Sequence, residues 1–248
     1  MTLADQLHER IAPGPAEARV LVVHDESGLA RSLRELVQDE ERAAFEKLPH
    51  RDDCRSALTS RGLLRLGLSV LSGDHAQELQ INRDRLGRPT IGGGVDLNVS
   101  RRRGCSAMVL SRGGRCGIDI ERIDTGESLN RFLQALAQQG IIESESVDPM
   151  DAYEQWCSLE AVLKGDGRGL SEGPRIARPI RGIRSDRSSI WVCGSDSWTL
   201  RAIQTPAGFV GMVALSGAIA VCSQLLVDAD DRVESMRILC ASGIPGQP

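Results

Sequence analysis

An α+β fold, with helices followed by small antiparallel sheets in each half of the chain, is predicted by two features of the sequence. Amphipathic helical patterns precede short β-rich runs in both halves. The β-rich runs are separated by glycine-containing turns of the kind that join antiparallel strands. Hydrophobic residues make up 41% of the chain and aromatic residues only 3%, so we expect a core filled by Leu, Val, Ile and Ala.

The composition argues against several classes of protein. The net charge is -4 and the pI is about 5.7, which gives no overall attraction to nucleic acid. The longest apolar run, 209–221, is interrupted by glycines and is too short to span a membrane. None of the seven cysteines forms a C-x-x-C pair. We therefore expect reduced thiols in a cytoplasmic protein that has no nucleic-acid or membrane partner.

The first third of the chain predicts one strand followed by helices. Residues 18–24 form a compact β-rich run, and residues 29–37 are amphipathic. Asp39 and Asp52 are the expected N-caps of the next two helices, the second over about 53–71. This long helix mixes leucines with arginines, which either point at phosphate groups or form a solvated face. Its arginines are Arg51, Arg55, Arg61 and Arg65.

The middle of the chain predicts a series of short strands. They are expected at 79–82, 96–100, 105–111 and 115–123, the last two as a pair joined by the turn at Gly113-Gly114. The bend Gly87-Arg88-Pro89 lies between the first two and exposes an arginine beside free backbone amides. Three arginines, 101–103, follow directly after Ser100.

Two carboxylates on the last of these strands are candidates for a metal site. Asp119 and Glu121 are two residues apart, so the strand period sends both to one face while Ile118 and Ile120 face a core. Adjacent carboxylates repel one another unless a cation lies between them, and oxygen ligands suit Mg²⁺. Taken alone, the pair is more typical of solvated acids on an exposed edge strand.

A helix at about 149–164, with Gly165 as its expected end, carries the other candidate groups. Trp156, Glu160 and Lys164 recur every four residues and therefore share one face. The residues expected to face a core are Leu159, Val162 and Leu163.

Lys164 and Glu160 by themselves describe an ordinary surface ion pair. However, lysine occurs only at Lys47 and Lys164, in a chain that otherwise uses arginine for positive charge. Together with Asp119, Glu121 and the nearby arginines, the pair describes a metal-assisted site for a phosphorylated ligand.

The last third of the chain predicts a second antiparallel sheet, with strands expected at 190–193, 198–203 and 209–215. The arginine-rich segment 175–187 has no interleaved aromatic residues and is interpreted as a solvated connector. From residue 222 onward we expect an acidic tail segment without a site.

Four motifs follow one another along the chain: GRP at 87–89, DLNVS at 96–100, GIDIE at 117–121 and WCSLEAVLKGDGRGL at 156–170. In these motifs and their separations, over about residues 18–217, the chain resembles the 4′-phosphopantetheinyl transferases of the surfactin-synthetase-activating type. The resemblance implies two α/β halves related by a pseudo-twofold axis, each with a small antiparallel sheet packed on helices, and coenzyme A in the cleft between them. It divides the chain into a nucleotide-binding half at 1–112, a metal and catalytic half at 113–221 and an extension at 222–248.

The activity that the resemblance implies is transfer of the 4′-phosphopantetheine arm of coenzyme A to a serine of an apo acyl or peptidyl carrier protein. The reaction depends on Mg²⁺ and releases adenosine 3′,5′-bisphosphate. Carrier proteins of this kind serve lipid, polyketide or nonribosomal-peptide synthesis. Because one chain contains both halves of the cleft, we expect a monomer.

The resemblance also assigns roles to individual residues. The implied metal ligands are Asp119, Glu121 and Glu160. The implied catalytic residues are Glu160, which assists deprotonation of the carrier serine, and Lys164, which neutralises the pyrophosphate. The implied coenzyme A site comprises Arg55, Arg88, Pro89, Ser100, Arg101 and Lys164, with Arg55 or a neighbour on the same helix at the 3′-phosphate.

Two positions depart from the pattern of that family and keep other functions open. Arg101 stands where the family usually has histidine, and Leu159 where it usually has lysine. Arginine still reaches a phosphate, whereas leucine removes a charge. One alternative is a non-catalytic homologue that binds coenzyme A or the carrier. Another is a Mg²⁺-dependent phosphohydrolase, which needs only the acids and Lys164 and gives GRP and DLNVS no role.

Overall fold

The computed structural model describes residues 7, 9–85, 87–91, 93–169, 176–180 and 188–239. Its helices are α1 (Gly28–Glu35), α2 (Asp39–Phe45), α3 (Arg51–Ser72), α4 (Gly126–Gln138) and α5 (Pro149–Asp166). Its strands are β1 (Glu17–His24), β2 (Val95–Arg102), β3 (Cys105–Arg112), β4 (Cys116–Arg122), β5 (Ala177–Ile180), β6 (Ser188–Cys193), β7 (Asp196–Ala202), β8 (Phe209–Leu215), β9 (Val221–Val227) and β10 (Val233–Leu239). Helices packed on two mainly antiparallel sheets confirm the α+β prediction.

The first sheet has the strand order β10-β9-β1-β3-β2. Its pairs are antiparallel except for β1 with β9, which run parallel. Alternate residues of β1 enter two different cores, as the strand period requires. Leu21 and Val23 pack beneath α1 and α3, whereas Val20 and Val22 pack against β4 and β8 of the second sheet. β1 is therefore buried on both faces.

β9 and β10 complete this sheet, so the tail segment expected from residue 222 onward is wrong for 222–239. β9 lies beside β1, and β10 lies beside β9. The side chains of β9 alternate between the two cores, with Leu225 and Val227 in one and Cys222 and Leu226 in the other. This alternation is the strand signal that the acidic composition of the region hid.

The second sheet has the order β4-β8-β7-β6-β5, all antiparallel. The strands predicted at 190–193, 198–203 and 209–215 are confirmed as β6, β7 and β8. The predicted pairing of β3 with β4 is wrong, because the glycine turn carries the chain from one sheet to the other. Gly114 permits this crossing, since a Cβ there would overlap the carbonyl oxygen of Ser216.

Two further local expectations are corrected by the structure. Residues 79–82 form no strand. Among the described residues, their backbone bond is to the return of their own bend, where Thr90 N donates to Asn82 O over 3.0 Å. The helices begin one or more residues earlier than expected, with Gln38 as N-cap of α2 and His50 as N-cap of α3. Asp39 and Asp52 consequently lie in the first turns, where their charges favour the helix dipole.

The connector predicted at 175–187 lies outside the described residues, except for Ile176 and β5. Within the described ranges, no helix combines the length and the apolar composition that crossing a membrane requires.

Candidate active site

The two sheets meet at β2 and β4, which are the edge strands of their respective sheets. An edge strand leaves backbone N–H groups without a strand partner, and buried N–H groups need an acceptor. Alternate polar side chains of β2 supply these acceptors for β4. Asp96 Oδ2 accepts from Cys116 N over 2.8 Å, Asn98 Oδ1 from Ile118 N over 3.3 Å, and Ser100 Oγ from Ile120 N over 3.3 Å. The DLNVS motif therefore joins the two sheets.

This junction brings Ser100, Asp119 and Lys164 into direct contact. The hydroxyl of Ser100 donates to Asp119 Oδ1 over 2.9 Å and accepts from Lys164 Nζ over 3.2 Å. Lys164 Nζ also lies 2.5 Å from Asp119 Oδ1. The second oxygen, Asp119 Oδ2, is buried and has no hydrogen-bond partner among the described residues. A buried carboxylate oxygen without a partner is rare and points to a missing cation or donor.

Helix α5 reaches this junction because two glycines let it pack directly on β4 and β7 of the second sheet. A Cβ on Gly117 would overlap the carbonyl oxygen of Ala161, and one on Gly165 would overlap the ring of Trp198. The predicted helix is confirmed, but Gly165 does not end it. The helix ends instead at Gly167, which adopts the left-handed conformation at φ 87°.

The predicted sidedness of α5 is also confirmed. Its apolar side, including Leu159 at 2% exposure, lies in the core of the second sheet. Its other side carries Glu160 and Lys164, whose Oε2 and Nζ atoms are 3.4 Å apart. Leu159 faces the core. Replacing the lysine that the family usually has at this position therefore does not remove a positive charge from the junction.

The charges of Glu160 and Lys164 perturb one another. Burial raises the pKa of Glu160 above its usual value; the Lys164 ammonium opposes this shift, and the Asp119 and Glu121 carboxylates add to it. Burial disfavours the charged form of Lys164, but the attraction of Asp119 and Glu160 outweighs burial and raises the pKa of Lys164. Lys164 is therefore a cation held by two carboxylates.

Glu121 has different partners from Asp119. It accepts hydrogen bonds from the guanidinium of Arg102 and, over 3.0 Å, from Trp156 Nε1. The hydrogen bond to Glu121 raises the pKa of Arg102 further above its usual range. Asp119 and Glu121 are 1% and 7% exposed, so the interpretation of this pair as solvated acids is wrong.

Sequence reasoning missed Arg102 as a member of the site. Arg102 follows Ser100 by two residues on β2, so both side chains lie on the side of the strand that faces β4. This two-residue spacing from Ser100 could have identified Arg102. The three consecutive arginines at 101–103 made it difficult to choose among them from the sequence.

The predicted metal ligands do not form a preassembled cluster. Within the described residues, no group of three or more His, Cys, Asp or Glu side chains is arranged to hold a metal ion. Cations of the chain itself lie against the acids: Lys164 against Asp119 and Glu160, and Arg102 against Glu121. Asp119 Oδ2 and the Glu160 carboxylate nevertheless fit Mg²⁺, which binds oxygen and needs only one or two carboxylates when phosphates complete its shell.

A basic cleft of about 410 Å³ opens beside Lys164. Its positively charged lining comprises Arg61, Arg83, Arg88, Arg101 and Lys164. Pro89 and the two glycines of the turn after α5, Gly167 and Gly169, also line it. Arg101 is paired with β3 through its strand, but its side chain makes no hydrogen bond or ion pair within the described part of the chain, so its guanidinium is available to a ligand. The volume and charge suit a phosphorylated molecule.

Two of the arginines expected to bind coenzyme A, Arg88 and Arg55, have other contacts in the structure. Arg88 lines the cleft, but its guanidinium donates to Gly165 O over 2.6 Å and to Cys116 O over 3.1 Å, and it pairs with Asp96. Arg88 thus ties the GRP bend to α5 and β4. Arg55 lies outside the cleft, beside a separate cavity of about 130 Å³.

Another arginine of helix α3, Arg61, lines the basic cleft that Arg55 does not reach. Arg55 pairs with Glu26 and Asp52, whereas Arg61 lines the basic cleft and lies 3.2 Å from Glu41. Of these two arginines of α3, Arg61 is therefore the one that lines the cleft.

No protein-family model and no curated protein matches the chain. The chemistry of the site accordingly rests on its own residues. A buried carboxylate with a free oxygen, a lysine beside it and an arginine-lined cleft together suit the binding and transfer of a phosphorylated group.

Proposed function

We propose that the protein is a Mg²⁺-dependent 4′-phosphopantetheinyl transferase that moves the phosphopantetheine arm of coenzyme A to a serine of an apo carrier protein. One observation carries the proposal. Three of the four motifs that resemble this family, GRP, DLNVS and the motif on α5, line one cleft. The fourth, GIDIE, meets DLNVS and α5 beside that cleft through the contacts among Ser100, Asp119 and Lys164. A phosphohydrolase would need only the acids and Lys164, and it would give the cleft residues Pro89 and Arg101 no ligand to bind.

Phosphoryl transfer depends mainly on positioning and on stabilising negative charge. In the proposed reaction, Arg101 and Lys164 hold the phosphates of coenzyme A in the cleft, and Ser100 orients the Lys164 ammonium. The hydroxyl oxygen of the carrier serine forms a bond to the phosphorus that carries the pantetheine arm. The bond from that phosphorus to the bridging oxygen breaks, and adenosine 3′,5′-bisphosphate leaves with the electron pair. Glu160 assists removal of the proton from the serine hydroxyl.

The residues suited to hold Mg²⁺ are Asp119, through Oδ2, and Glu160. A bound Mg²⁺ would neutralise charge on the pyrophosphate. Lys164 supplies a second positive charge at the same place, and its position between the two carboxylates keeps it protonated.

The test is the intact mass of an apo carrier protein after incubation with this protein, coenzyme A and Mg²⁺. We expect a gain of one phosphopantetheine group, and no gain in the same mixture with a metal chelator. Lys164→Met should abolish the gain, whereas Arg55→Gln, which changes an arginine outside the cleft, should retain it. Equal modification by Lys164→Met would contradict the proposal.

The alternative is a non-catalytic homologue that binds coenzyme A or the carrier. It is favoured by one observation: cations of the chain itself lie against all three candidate metal ligands, Asp119, Glu121 and Glu160. Coenzyme A binding measured by calorimetry, with no mass gain on several different carriers, would establish this alternative. Release of phosphate from coenzyme A without a carrier would instead indicate a phosphohydrolase.

The finer architecture implied by the resemblance is part of the proposal: two pseudo-twofold-related halves, 1–112 and 113–221, with the substrate in the cleft between them. Its support is that each half packs a long helix, α3 or α5, on antiparallel strands. A cytoplasmic location is supported by the free cysteines of the described chain. A monomer is proposed because the residues that line the cleft belong to one chain.

A further inference from the structure

Glu121 is the candidate metal ligand whose two oxygens are both hydrogen-bonded. Arg102 donates to Oε1 and Oε2 in a forked arrangement, and Trp156 Nε1 donates to Oε1 over 3.0 Å. Asp119 differs, because its Oδ2 has no partner among the described residues. Forked guanidinium–carboxylate pairs are the stronger type of ion pair and fix the geometry of both groups.

Arg102 belongs to the metal and phosphate end of the site. It lines a cavity of about 420 Å³ together with Ser100, Arg101, Glu160 and Lys164. Its side chain is 46% exposed, while that of Glu121 is 9% exposed. The pair therefore lies at the wall of the cavity, with the guanidinium toward solvent and the carboxylate toward the protein.

We propose that Arg102 is a positioning residue that holds Glu121 away from the metal, so that a divalent cation binds only to Asp119 and Glu160. This inference rests on the proposed function. A metal ion that recruited Glu121 would have to break both hydrogen bonds from Arg102 and approach its positive charge. Two carboxylates are sufficient for Mg²⁺ when substrate phosphates complete its coordination. Arg102 thereby weakens binding of the metal alone and makes binding more dependent on the phosphorylated substrate.

The experiment is a titration of the full-length protein with Mn²⁺ alone, followed by the electron paramagnetic resonance signal of free Mn²⁺. Arg102→Gln releases Glu121 and removes a positive charge, so we expect its dissociation constant to be about tenfold lower than that of the wild type. Arg102→Lys keeps the charge beside Glu121 and should remain within about twofold of the wild type. Glu121→Gln should likewise remain within about twofold, because Glu121 is not a ligand.

Arg103 offers a matched control for loss of an arginine. Its side chain is 47% exposed and is paired with a carboxylate, Asp53, as that of Arg102 is with Glu121. It does not line the cavity of Arg102. Arg103→Gln should therefore leave the Mn²⁺ affinity within about twofold of the wild type.

The double variant Arg102→Gln/Glu121→Gln decides whether the effect passes through Glu121. We expect it to return to within about twofold of the wild-type affinity. If it keeps the tighter binding, Arg102 acts by charge alone and the inference is wrong. Unchanged affinity in Arg102→Gln, or a loss in Glu121→Gln as large as in Asp119→Asn, would also overturn it.

The titration contains neither coenzyme A nor a carrier protein, so its outcome is independent of the transfer assay. A protein that modifies no carrier but gains Mn²⁺ affinity in Arg102→Gln would contradict the proposed activity and support the role of Arg102. A protein that modifies carriers but shows no gain in Mn²⁺ affinity in Arg102→Gln would support the proposed activity and contradict the role of Arg102. Circular dichroism of each variant verifies that the fold is retained, as the exposure of Arg102 leads us to expect.

Discussion

At the scale of single residues, Asp119 contributes to both the chemistry and the fold, and substitutions can separate the two. Asp119→Asn keeps an oxygen for Ser100 and Lys164 but removes the negative charge that a metal requires. We expect the rate of carrier modification to fall about 100-fold or more, with the midpoint of thermal unfolding little changed. The rate is measured by the mass assay and the midpoint by calorimetry.

Asp119→Ala provides the comparison for that prediction. Because Asp119 is 1% exposed, alanine leaves the Ser100 hydroxyl without its acceptor and removes the nearer of the two carboxylates that hold Lys164. We expect an additional loss of about 3 kcal/mol in the free energy of unfolding. A rate for Asp119→Asn equal to that of the wild type would exclude Asp119 as a metal ligand.

A second buried carboxylate, Asp25, belongs to the fold rather than to the site. Its side-chain oxygens accept from the hydroxyls of Ser56 and Ser106 and from Gly104 N. These bonds join the end of β1 to α3 and to the turn between β2 and β3. Burial nevertheless dominates and raises the pKa of Asp25 above the ordinary value of 3.8.

This raised pKa predicts a specific pH dependence of stability. The titratable groups near Asp25 include His24, which lowers its pKa, and Arg34, whose guanidinium donates to the Asp25 carbonyl oxygen. The small cavity that Asp25 helps to line is also lined by Glu26, Asp52, Arg55, Arg103 and Arg122. The folded state binds the proton of Asp25 more tightly than the unfolded state. The resulting stabilisation is therefore complete below about pH 4 and is lost as the pH rises through the folded-state pKa.

Asp25→Asn removes the titrating group and provides the measurement. The free energy of unfolding of the wild type, minus that of the variant, should fall as the pH is raised from about 4 to about 7. Denaturant titrations at several pH values give this difference. A difference that rises with pH would mean that the folded state stabilises the carboxylate of Asp25, contrary to the prediction.

At the scale of elements, the contact of α5 with β4 depends on Gly117. Any side chain there would overlap the backbone of α5 at Ala161, so the helix would have to move away from the strand that carries Asp119. We expect Gly117→Ala to reduce the free energy of unfolding by about 3 kcal/mol and to lower the rate of transfer. Denaturant unfolding and the mass assay measure the two effects.

Gly208→Ala is the control for this contact. Gly208 has a φ of 82° but no atom within 4 Å of the position of an added Cβ. Its substitution measures backbone strain without a clash and should cost about 1–2 kcal/mol. If Gly117→Ala costs less than Gly208→Ala, the close approach of α5 to β4 is not important for stability.

At the scale of the whole molecule, the sequence predicts which side of a strand or helix a residue occupies better than it predicts which residue it contacts. The strand period put Asp119 and Glu121 on one side of β4, and the helix period did the same for Glu160 and Lys164, because both periods are local properties of the backbone. The pairing of Arg102 with Glu121 depends on how β2 and β4 are aligned, although they belong to different sheets. Nothing local to either strand determines that alignment.

The choice between Arg61 and Arg55 is a similar case. It depends on the rotation of α3, which is limited by the close contact between Gly62 and the backbone of Leu33 in α1. The fold class was accessible from the order of helical and β-rich runs. The pairing of β9 with β1 was not, because these strands are almost the whole chain apart and strand pairing at that separation leaves no signal in either segment.

That long-range pairing leads to the last prediction. A chain that ends at residue 220 lacks β9 and β10, so β1 becomes an edge strand and both cores lose the side chains of β9, among them Leu225 and Leu226. We expect this truncation to aggregate or to lack cooperative thermal unfolding, as measured by size-exclusion chromatography and circular dichroism. A chain that ends at residue 232 keeps β9 beside β1 and should remain folded, with a lower midpoint of thermal unfolding.

Both truncations lack residues 233–248, so the difference between them isolates the contribution of the segment that contains β9. If the two behave alike and both unfold cooperatively, β9 is not required for the fold; if both aggregate, β10 is as necessary as β9.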